Sequence, residues 1–340
     1  MYNYHDHSGV IHVHSTYSDG AKSVPYLINA ANRAGCDYLI LTDHDTMAAY
    51  KMEGQYKNTL FLVGEEITVK QEKGHYLGLN LKKTIPPVYG PQETIEQVNQ
   101  QGGIGFMAHP DVRKGKLAPV TWADWTVEGF TGIEIWNYHH DWLENIKLKD
   151  LFSGLLKPDT FIEGPIPQTV QKWDELLTRK KVVGIGSVDA HDYFMSYQKM
   201  FKTIRNHILV PESLTYHPAG FLKNKKLIYQ ALQKGNCYLS YHYLANAGGF
   251  MFSAQNHHQE VIMGEELSLH KGVVVAVSSP RPCQLRIVKN QQCIARKNNT
   301  RSLIKKIEQP GAYRAEAYLR LNNYHERPWV FTNPIYITAN

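Results

Sequence analysis

The sequence has no long apolar run and no export signal. Its longest apolar runs, such as Leu60–Val63 and Val273–Val277, are far shorter than the roughly 20 residues that a membrane-spanning helix needs. The N-terminus, MYNYHDHSGV, lacks the basic segment and apolar stretch of a secretory signal. We therefore expect a cytoplasmic protein that has no membrane partner.

Cysteine patterns and several enzyme motifs are absent as well. The four cysteines show no CxxC spacing, so neither a disulfide framework nor a thiolate zinc site is indicated, and we expect buried thiols. The serine-hydrolase motif GxSxG, the dinucleotide motif GxGxxG and the P-loop lysine motif do not occur. These absences disfavour serine-nucleophile, dinucleotide and nucleoside-triphosphate chemistry.

What the chain does contain is ordinary globular composition and an unusual amount of histidine. With 340 residues, 43% of them hydrophobic and 20% charged, the chain fits one large barrel or two domains. The net charge of +6 is mild and no Lys/Arg run exceeds three, which supports nucleic acid only weakly and suits an anionic substrate equally. A nucleic-acid partner and the oligomeric state stay open. There are 17 histidines, a residue that titrates near neutrality and ligates metals.

Apolar runs alternate with amphipathic stretches up to about residue 240, the pattern of parallel strands with crossover helices. One such stretch predicts a helix between Ser23, as the N-terminal cap, and Gly35, as the left-handed terminus. Further helices are predicted at Gln92–Gln101, Thr169–Arg179 and Leu222–Lys234. The runs that predict strands are Gly9–Val13, Tyr38–Thr42, Leu60–Val63, Tyr76–Leu79, Gly105–Ala108, Gly132–Trp136 and Lys181–Ile185.

From about Tyr241 onward the helical period disappears and a β pattern takes its place. Strict alternation in Ala312–Leu319 and turn residues such as Pro280 and Pro282 predict a small antiparallel β module. We therefore expect an α/β barrel domain over residues 1–240 and a β-sandwich-like domain over residues 241–340. The other predicted strands of the module are Val273–Val277, Gln284–Val288 and Trp329–Phe331.

Residues that commonly ligate metals follow one predicted strand after another in the first region. In an α/β barrel the carboxyl ends of the strands converge on one face, so these side chains would share one site. His12 and His14 lie two apart, which places both rings on the same side of a strand. Six histidines with several carboxylates exceed the four ligands of one zinc and favour two or three Zn, Mn or Fe ions. The residues are His12, His14, His44, Glu65, Glu66, His75, His109, Glu134, Asp189 and His191.

These residues lie in segments that resemble the motifs of the PHP (polymerase and histidinol phosphatase) family of metal-dependent phosphoesterases. Residues 12–20, HVHSTYSDG, match the first motif, HxHxxxSDG, and residues 41–46, LTDHDT, resemble the second. AHP at 108–110 and VDAH at 188–191 resemble the third and fourth, although one residue is inserted before the last Asp. GEEI at 64–67 and GHYLG at 74–78 match the segments between them.

The resemblance implies a distorted (β/α)7 barrel and a set of ligands for each metal. It assigns His12, His14, Glu66 and Asp189 to a first metal. Glu66 would bridge to a second metal that also binds His75 and His109. The implied ligands of a third metal are Asp19, His44 and His191.

The resemblance also implies a reaction, the hydrolysis of a phosphate ester by a metal-bound hydroxide. The expected catalytic residues are Glu66, His191 and Arg113, and the expected substrate is a small phosphate ester or a nucleotide. Arg113, with Lys114 and Lys116, either binds the substrate phosphate or is part of a solvated loop. The tail, with GAYRAE at 311–316 and PWVFTNPIY at 328–336, resembles that of a PHP branch named for a carbamate-insecticide hydrolase and a microcin-biosynthesis protein. Carbamate or carboxylic ester hydrolysis and a non-catalytic binding module therefore remain alternatives.

Residues near the third motif are expected to support the site. Glu134 and Asn137 lie at a strand end and could orient ligands through hydrogen bonds. Tyr138, His139 and His140 are expected to shape the rim of the pocket.

Overall fold

The computed structural model describes residues 4–111, 121–146, 157–193, 195–269, 272–321 and 325–339. Within them the chain forms a mixed α/β fold with one 14-stranded and one five-stranded sheet. The helices are α1 (Val24–Ala34), α2 (Pro91–Gln100), α3 (Tyr138–Asn145), α4 (Pro167–Leu177), α5 (Tyr197–Met200) and α6 (Phe221–Lys234). None of these described helices has the length and apolar character to cross a membrane.

Eleven of the described strands precede residue 242. All seven runs that predicted strands lie in them, with small shifts at the ends. The strands are β1 (His5–Ile11), β2 (Tyr38–Leu41), β3 (Gly54–Tyr56), β4 (Thr59–Val63), β5 (Glu65–Thr68), β6 (His75–Leu79), β7 (Ile104–Ala108), β8 (Gly132–Asn137), β9 (Val183–Ser187), β10 (Ile204–Val210) and β11 (Cys237–Tyr241).

Helix α1 shows how the local sequence sets an element. Leu27, Ile28 and Ala31 recur at helical spacing and are buried against the sheet, as predicted. Gly35 ends the helix with a φ of 72°, a left-handed conformation that costs glycine nothing. Ser23 occupies the cap position, but its side chain makes no capping hydrogen bond, so that part of the prediction is wrong.

Parallel pairing brings the carboxyl ends of several strands to one edge. β2 pairs in parallel with β1 and β4, and β8 pairs in parallel with β7 and β9. Gly64 separates β4 from β5, so the chain passes there from one sheet to the other. Backbone hydrogen bonds from His14 to Ala190 (3.0 Å) and from Asp45 to Glu66 (3.0 Å) link the two sheets at this edge.

The C-terminal strands continue the larger sheet, because β18 (His325–Thr332) pairs with β11. They also surround a second hydrophobic cluster, which includes Phe252, Val275, Leu285 and Trp329. The eight described strands of this region are β12 (Met251–Gln255), β13 (Glu260–Ile262), β14 (Glu266–Ser268), β15 (Val273–Lys289), β16 (Gln292–Ile307), β17 (Gly311–Leu321), β18 (His325–Thr332) and β19 (Ile335–Thr338).

Two predictions for this region are wrong. The runs Val273–Val277 and Gln284–Val288 are one strand, β15, in which Pro280 and Pro282 lie at a register shift between Ser278 and Cys283. Proline is tolerated at such irregular positions, because it removes no regular ladder hydrogen bond there. The second error concerns the cysteines, of which Cys293 is exposed while Cys36, Cys237 and Cys283 are buried thiols as expected.

Candidate metal centre

Strand ends and unusual backbone conformations position the imidazoles and carboxylates. His12 and His14 follow β1 directly, and neither residue is exposed. His12, His109 and Asp189 have φ angles of 69°, 27° and 49°, in the left-handed region that non-glycine residues rarely adopt. Such conformations cost free energy and persist where surrounding structure enforces them, often at functional sites. These three residues turn sharply at the edge where the strands end.

Glu66 lies at the centre of the cluster, and its two carboxylate oxygens face different imidazoles. Oε1 lies 2.8 Å from His75 Nδ1 and 3.1 Å from His109 Nε2. Oε2 lies 2.9 Å from His12 Nε2 and 3.1 Å from His14 Nε2. This arrangement allows the carboxylate to bridge two cations.

Asp189 approaches the same two imidazoles from the other side. Its Oδ1 lies 3.4 Å from Nε2 of His12 and 3.4 Å from Nε2 of His14. Its Oδ2 accepts a hydrogen bond of 3.2 Å from Asn137 Nδ2 and lies 3.2 Å from His140 Nε2. One oxygen therefore faces the cluster while the other is held by its surroundings.

The remaining predicted ligands form a more open group. His191 Nε2 lies 3.2 Å and His44 Nε2 lies 3.8 Å from Asp19 Oδ2, and His14 Nδ1 lies 3.4 Å from Asp19 Oδ1. The Asp19 side chain is 46% exposed, whereas that of Glu66 is 1% exposed. Solvent and small molecules therefore approach the cluster from the side of Asp19.

The donor set fits divalent cations. Both ring nitrogens of His14 are buried without a hydrogen bond although carboxylates lie nearby, and Nδ1 of His75 is in the same situation. Buried polar atoms are rarely left unpaired, so nitrogens that converge on carboxylates without hydrogen-bond geometry suit metal coordination. Nitrogen and carboxylate donors without thiolate suit Zn, Mn or Fe. The groups whose donor atoms lie within 4.8 Å of one another include His14, Asp19, His44 and His191; His12, His14 and Asp189; His12, Glu66 and His109; and His44, Glu66 and His75.

The cluster keeps its central carboxylates ionised. Burial raises the pKa of Glu66, but the nearby imidazoles of His12 and His75 outweigh burial and hold the pKa well below its usual range. The pKa of Asp189 is likewise held low, because the neighbouring imidazoles outweigh burial. Glu65 behaves differently, since burial raises the pKa of its carboxyl to about 8 and its Oε2 accepts a hydrogen bond from Ile85 N at 2.9 Å. The adjacent glutamates thus have separate environments, as strand alternation predicts.

Glu134 and Asn137 lie behind the cluster. Glu134 Oε1 accepts a hydrogen bond from His12 Nδ1 at 2.7 Å, and Oε2 accepts one from the His109 backbone at 2.8 Å. Asn137 Nδ2 lies 3.3 Å from the same Oε2, besides its bond to Asp189. Both residues contact candidate ligands, which is the position predicted for them.

His140 was expected at the rim of the pocket, but it is buried against the cluster. Its ring stacks on that of His109 with centroids 4.4 Å apart, and the residue is only 9% exposed. Asn137 caps α3 by accepting a hydrogen bond from the backbone of His140 at 3.0 Å, and one helical turn then brings this histidine over the strand end. An Asn at a strand end with a His three positions later is a sequence signal for this placement. Tyr138 is fully buried, so its predicted rim position is wrong.

Two further segments bear on the opening of the site. Tyr193 is 58% exposed and stacks on His191 with centroids 5.5 Å apart, so an aromatic ring lies beside the accessible side of the cluster. Arg113, Lys114 and Lys116, the expected phosphate-binding residues, lie outside the described residues.

Two curated proteins resemble parts of the chain. An uncharacterized protein of Methanocaldococcus jannaschii is 27% identical over 162 residues, which cover 43% of this chain and 91% of that protein. A 5'-3' exoribonuclease of Haemophilus influenzae is 37% identical over 81 residues, which cover 22% of this chain and 30% of the exoribonuclease.

Solved structures provide two further similarities. A two-domain protein from Bacteroides vulgatus, described as containing a predicted PHP-like metal-dependent phosphoesterase, has a TM-score of 0.44 and 14% identity. That similarity covers 97% of this chain and 95% of the other. A proposed metal-dependent phosphoesterase from Bifidobacterium adolescentis has a TM-score of 0.37 and 15% identity, covering 55% of this chain and 88% of the other. The model of the PHP domain matches residues 11–201, more than half of the sequence, and the chain therefore belongs to the PHP family.

Proposed function

We propose that the protein hydrolyses phosphate esters at a centre of two or three divalent metals. The observation that carries the proposal is the position of Glu66, whose oxygens each contact a different pair of imidazoles at 2.8 to 3.1 Å. Zn, Mn or Fe bound there would activate water and offset the charge that develops on the phosphate. Small phosphate monoesters and nucleotides are the proposed substrates.

The proposed ligands form three sets that share residues. His12, His14, Glu66 and Asp189 would hold the first metal, and Glu66, His75 and His109 would hold the second. Asp19, His44 and His191 would hold the third. The donor groups around His12 and Asp189 and around Asp19 and His191 support the first and third sets, and the contacts of His75 and His109 with Glu66 Oε1 support the second. Other converging groups, such as His12 with Glu66 and His109, cross these sets.

The residues in and around the cluster have distinct proposed roles in catalysis. Glu134 and Asn137 orient His12 and Asp189 through the hydrogen bonds described above, as residues behind metal ligands generally do. Glu66 and His191 are the proposed catalytic residues, because Glu66 is central and His191 lies on the accessible side. The substrate enters past Asp19, whose side chain is the most exposed of the nine proposed ligands. Arg113 is proposed to bind the phosphate because it follows His109 by four residues.

We propose in addition that the strands of residues 1–240 form a distorted (β/α)7 barrel. Support comes from the passage of the chain between sheets at Gly64 and from the bonds of Val188 N to Ile11 O and His14 N to Ala190 O. The division at residue 240, and a β-sandwich-like module of the branch named for a carbamate-insecticide hydrolase, remain proposals. The second hydrophobic cluster of the C-terminal strands supports the module.

The decisive experiment compares two adjacent glutamates. The metal-loaded protein is screened against phosphomonoesters, phosphodiesters, nucleotides and neutral aryl esters, and Glu66→Gln and Glu65→Gln are assayed on the best substrate. Glu66→Gln should abolish hydrolysis and reduce bound metal, whereas Glu65→Gln should retain both, since its amide oxygen can still accept from Ile85.

Three results would contradict the proposal. They are full activity in Glu66→Gln, less than one metal per chain by elemental analysis after metal loading, and cleavage of neutral esters alone. The last result would favour the carbamate or ester hydrolase alternative.

A further inference from the structure

The positive charge of the protein is concentrated in one β-hairpin. The hairpin is formed by β15 and β16, residues 273–307, and these residues include eight Lys and Arg but no Asp or Glu. The whole chain has a net charge of only +6, so the rest of the chain is slightly acidic. A local excess of one sign produces a strong surface potential even when the net charge is mild.

Strand β16 presents most of these cations to solvent. Among the described residues it pairs with β15 alone, so it is an edge strand. All five of its basic residues are exposed, and four of them have no ion pair with a described carboxylate. These four are Arg296, Lys297, Arg301 and Lys305.

The charge of Arg286 is offset, whereas that of Arg296, which faces it, is not. Arg286 lies 3.6 Å from Glu326 and opposite Glu316 on β17, while no described carboxylate pairs with Arg296. Edge strands often carry lysine to prevent aggregation, but that role does not explain the complete absence of acids from the hairpin. An anionic ligand would offset the four cations that lack an ion pair, so the pattern indicates binding.

The cations lie on both faces of the ribbon. Lys297 faces the same side as Leu285, a core residue, because the two are paired, while Arg296 pairs with Arg286 on the opposite side. A flat bilayer or a rigid duplex would contact only one of these faces. A flexible single-stranded polyanion can follow the edge of the hairpin and contact both faces.

We propose that this hairpin binds single-stranded nucleic acid through its phosphates. With about 3.3 Å per residue, β16 extends for up to about 50 Å, long enough for several nucleotides. Strand β16 contains no aromatic residue for base stacking, so its contacts are to the sugar-phosphate backbone of the nucleic acid and independent of the base sequence. Binding at the hairpin does not depend on hydrolysis at the metal centre.

The test measures binding of a fluorescent single strand of about 20 thymidines to the full-length protein by anisotropy. Salt is varied from about 50 to about 200 mM, and a gel verifies that the probe stays intact. The variant Arg296→Gln/Lys297→Gln/Arg301→Gln/Lys305→Gln removes four exposed charges. The control Lys51→Gln/Lys82→Gln/Lys83→Gln/Lys202→Gln removes four exposed charges from elsewhere.

The hairpin variant should bind at least about tenfold more weakly at low salt. The negative slope of log K against log salt should become less steep by up to about 3, at about 0.7 for each lost contact. The control should bind within about threefold of wild type, because its charges lie outside the hairpin. Circular dichroism of both variants verifies their folding.

The proposal is wrong if the wild type does not bind the strand, if the hairpin variant binds as well as wild type, or if the control loses as much. Tighter binding to a duplex of the same length, or hairpin-dependent binding to phosphatidylserine vesicles, would also overturn it. Because hydrolysis is not measured, failure of the proposed enzyme activity would leave this result unchanged.

Discussion

Nδ1 of His12 donates a hydrogen bond of 2.7 Å to Oε1 of Glu134, and neither side chain is exposed to solvent. The bond fixes the ring so that Nε2 points at Glu66, 2.9 Å away. A carboxylate behind a metal-binding imidazole selects the tautomer and increases the basicity of the ligating nitrogen. Glu134 thus preorganises the His12 ring for binding a cation.

Glu134→Gln should therefore weaken metal binding by about 10-fold to 100-fold without unfolding the protein. The amide can present its NH2 group instead of an acceptor, which disturbs the tautomer of His12. Competition with a chelator measures the affinity, and circular dichroism verifies the fold. Glu96→Gln, on the exposed face of α2, is the control and should bind metal as wild type does. Equal affinity of Glu134→Gln and wild type would show that this hydrogen bond does not tune the site.

A second prediction concerns His140, which lies 3.2 Å from Asp189 Oδ2 and stacks on His109. His140→Phe keeps a ring for stacking but removes the nitrogen, so Asp189 loses one contact. We expect metal affinity and kcat/KM to decrease by about tenfold or more. His140→Gln restores a donor and should recover much of the loss, a rescue that a packing role alone would not produce. If His140→Phe matches wild type, the nitrogen has no function.

The sequence predicted the site better than the C-terminal fold. His12, His14, His44 and Glu66 could be placed together because each follows a strongly apolar strand, and parallel strands end at one edge. His140 could not be placed in this way, because the capping bond of Asn137 and a turn of α3 bring it to the cluster. Its position depends on local helix geometry rather than on strand ends.

Strand β16 was not predicted for a different physical reason. Most of its residues are exposed and polar, and only Leu303 and Ile307 are buried, so the apolar alternation that marks a strand is absent. Its extended conformation depends on backbone pairing with β15, which a pattern of side chains does not show. In β15 itself, Pro280 and Pro282 suggested a turn, whereas the strand accommodates them in a register shift.

A buried ion pair joins the C-terminal region to α4. Arg314 on β17 makes two hydrogen bonds to Asp174, of 2.8 and 2.9 Å, and also contacts Glu316. Arg314→Met leaves two carboxylates buried without their cation and should decrease the free energy of unfolding by roughly 3–5 kcal/mol. Denaturant unfolding monitored by tryptophan fluorescence measures the change.

The control for this prediction uses an exposed ion pair between the C-terminal strands and Lys181, which lies between α4 and β9. Lys181 and Glu266 lie 3.0 Å apart, but their side chains are 53% and 52% exposed. Lys181→Met should decrease stability by at most about 1 kcal/mol, because solvent screens the pair. Similar losses in both Met variants would mean that burial does not determine the contribution of Arg314.

The last prediction concerns acid stability and His242. Burial, together with the charges of Arg205 and His207, lowers the pKa of His242 to about 3, and its Nδ1 is buried without a hydrogen bond. In the unfolded chain the pKa is about 6.5, so between these values the unfolded state binds one proton more than the folded state. Stability therefore rises with pH in this window and falls as the pH decreases below about 6.5.

His242→Asn removes the titration, so the stability of this variant should fall less steeply with decreasing pH than that of wild type. The two slopes should differ by up to about 1.4 kcal/mol per pH unit, the limit for one proton. Urea unfolding of both proteins at several pH values measures the two slopes; parallel curves would show that folding does not lower the pKa of His242.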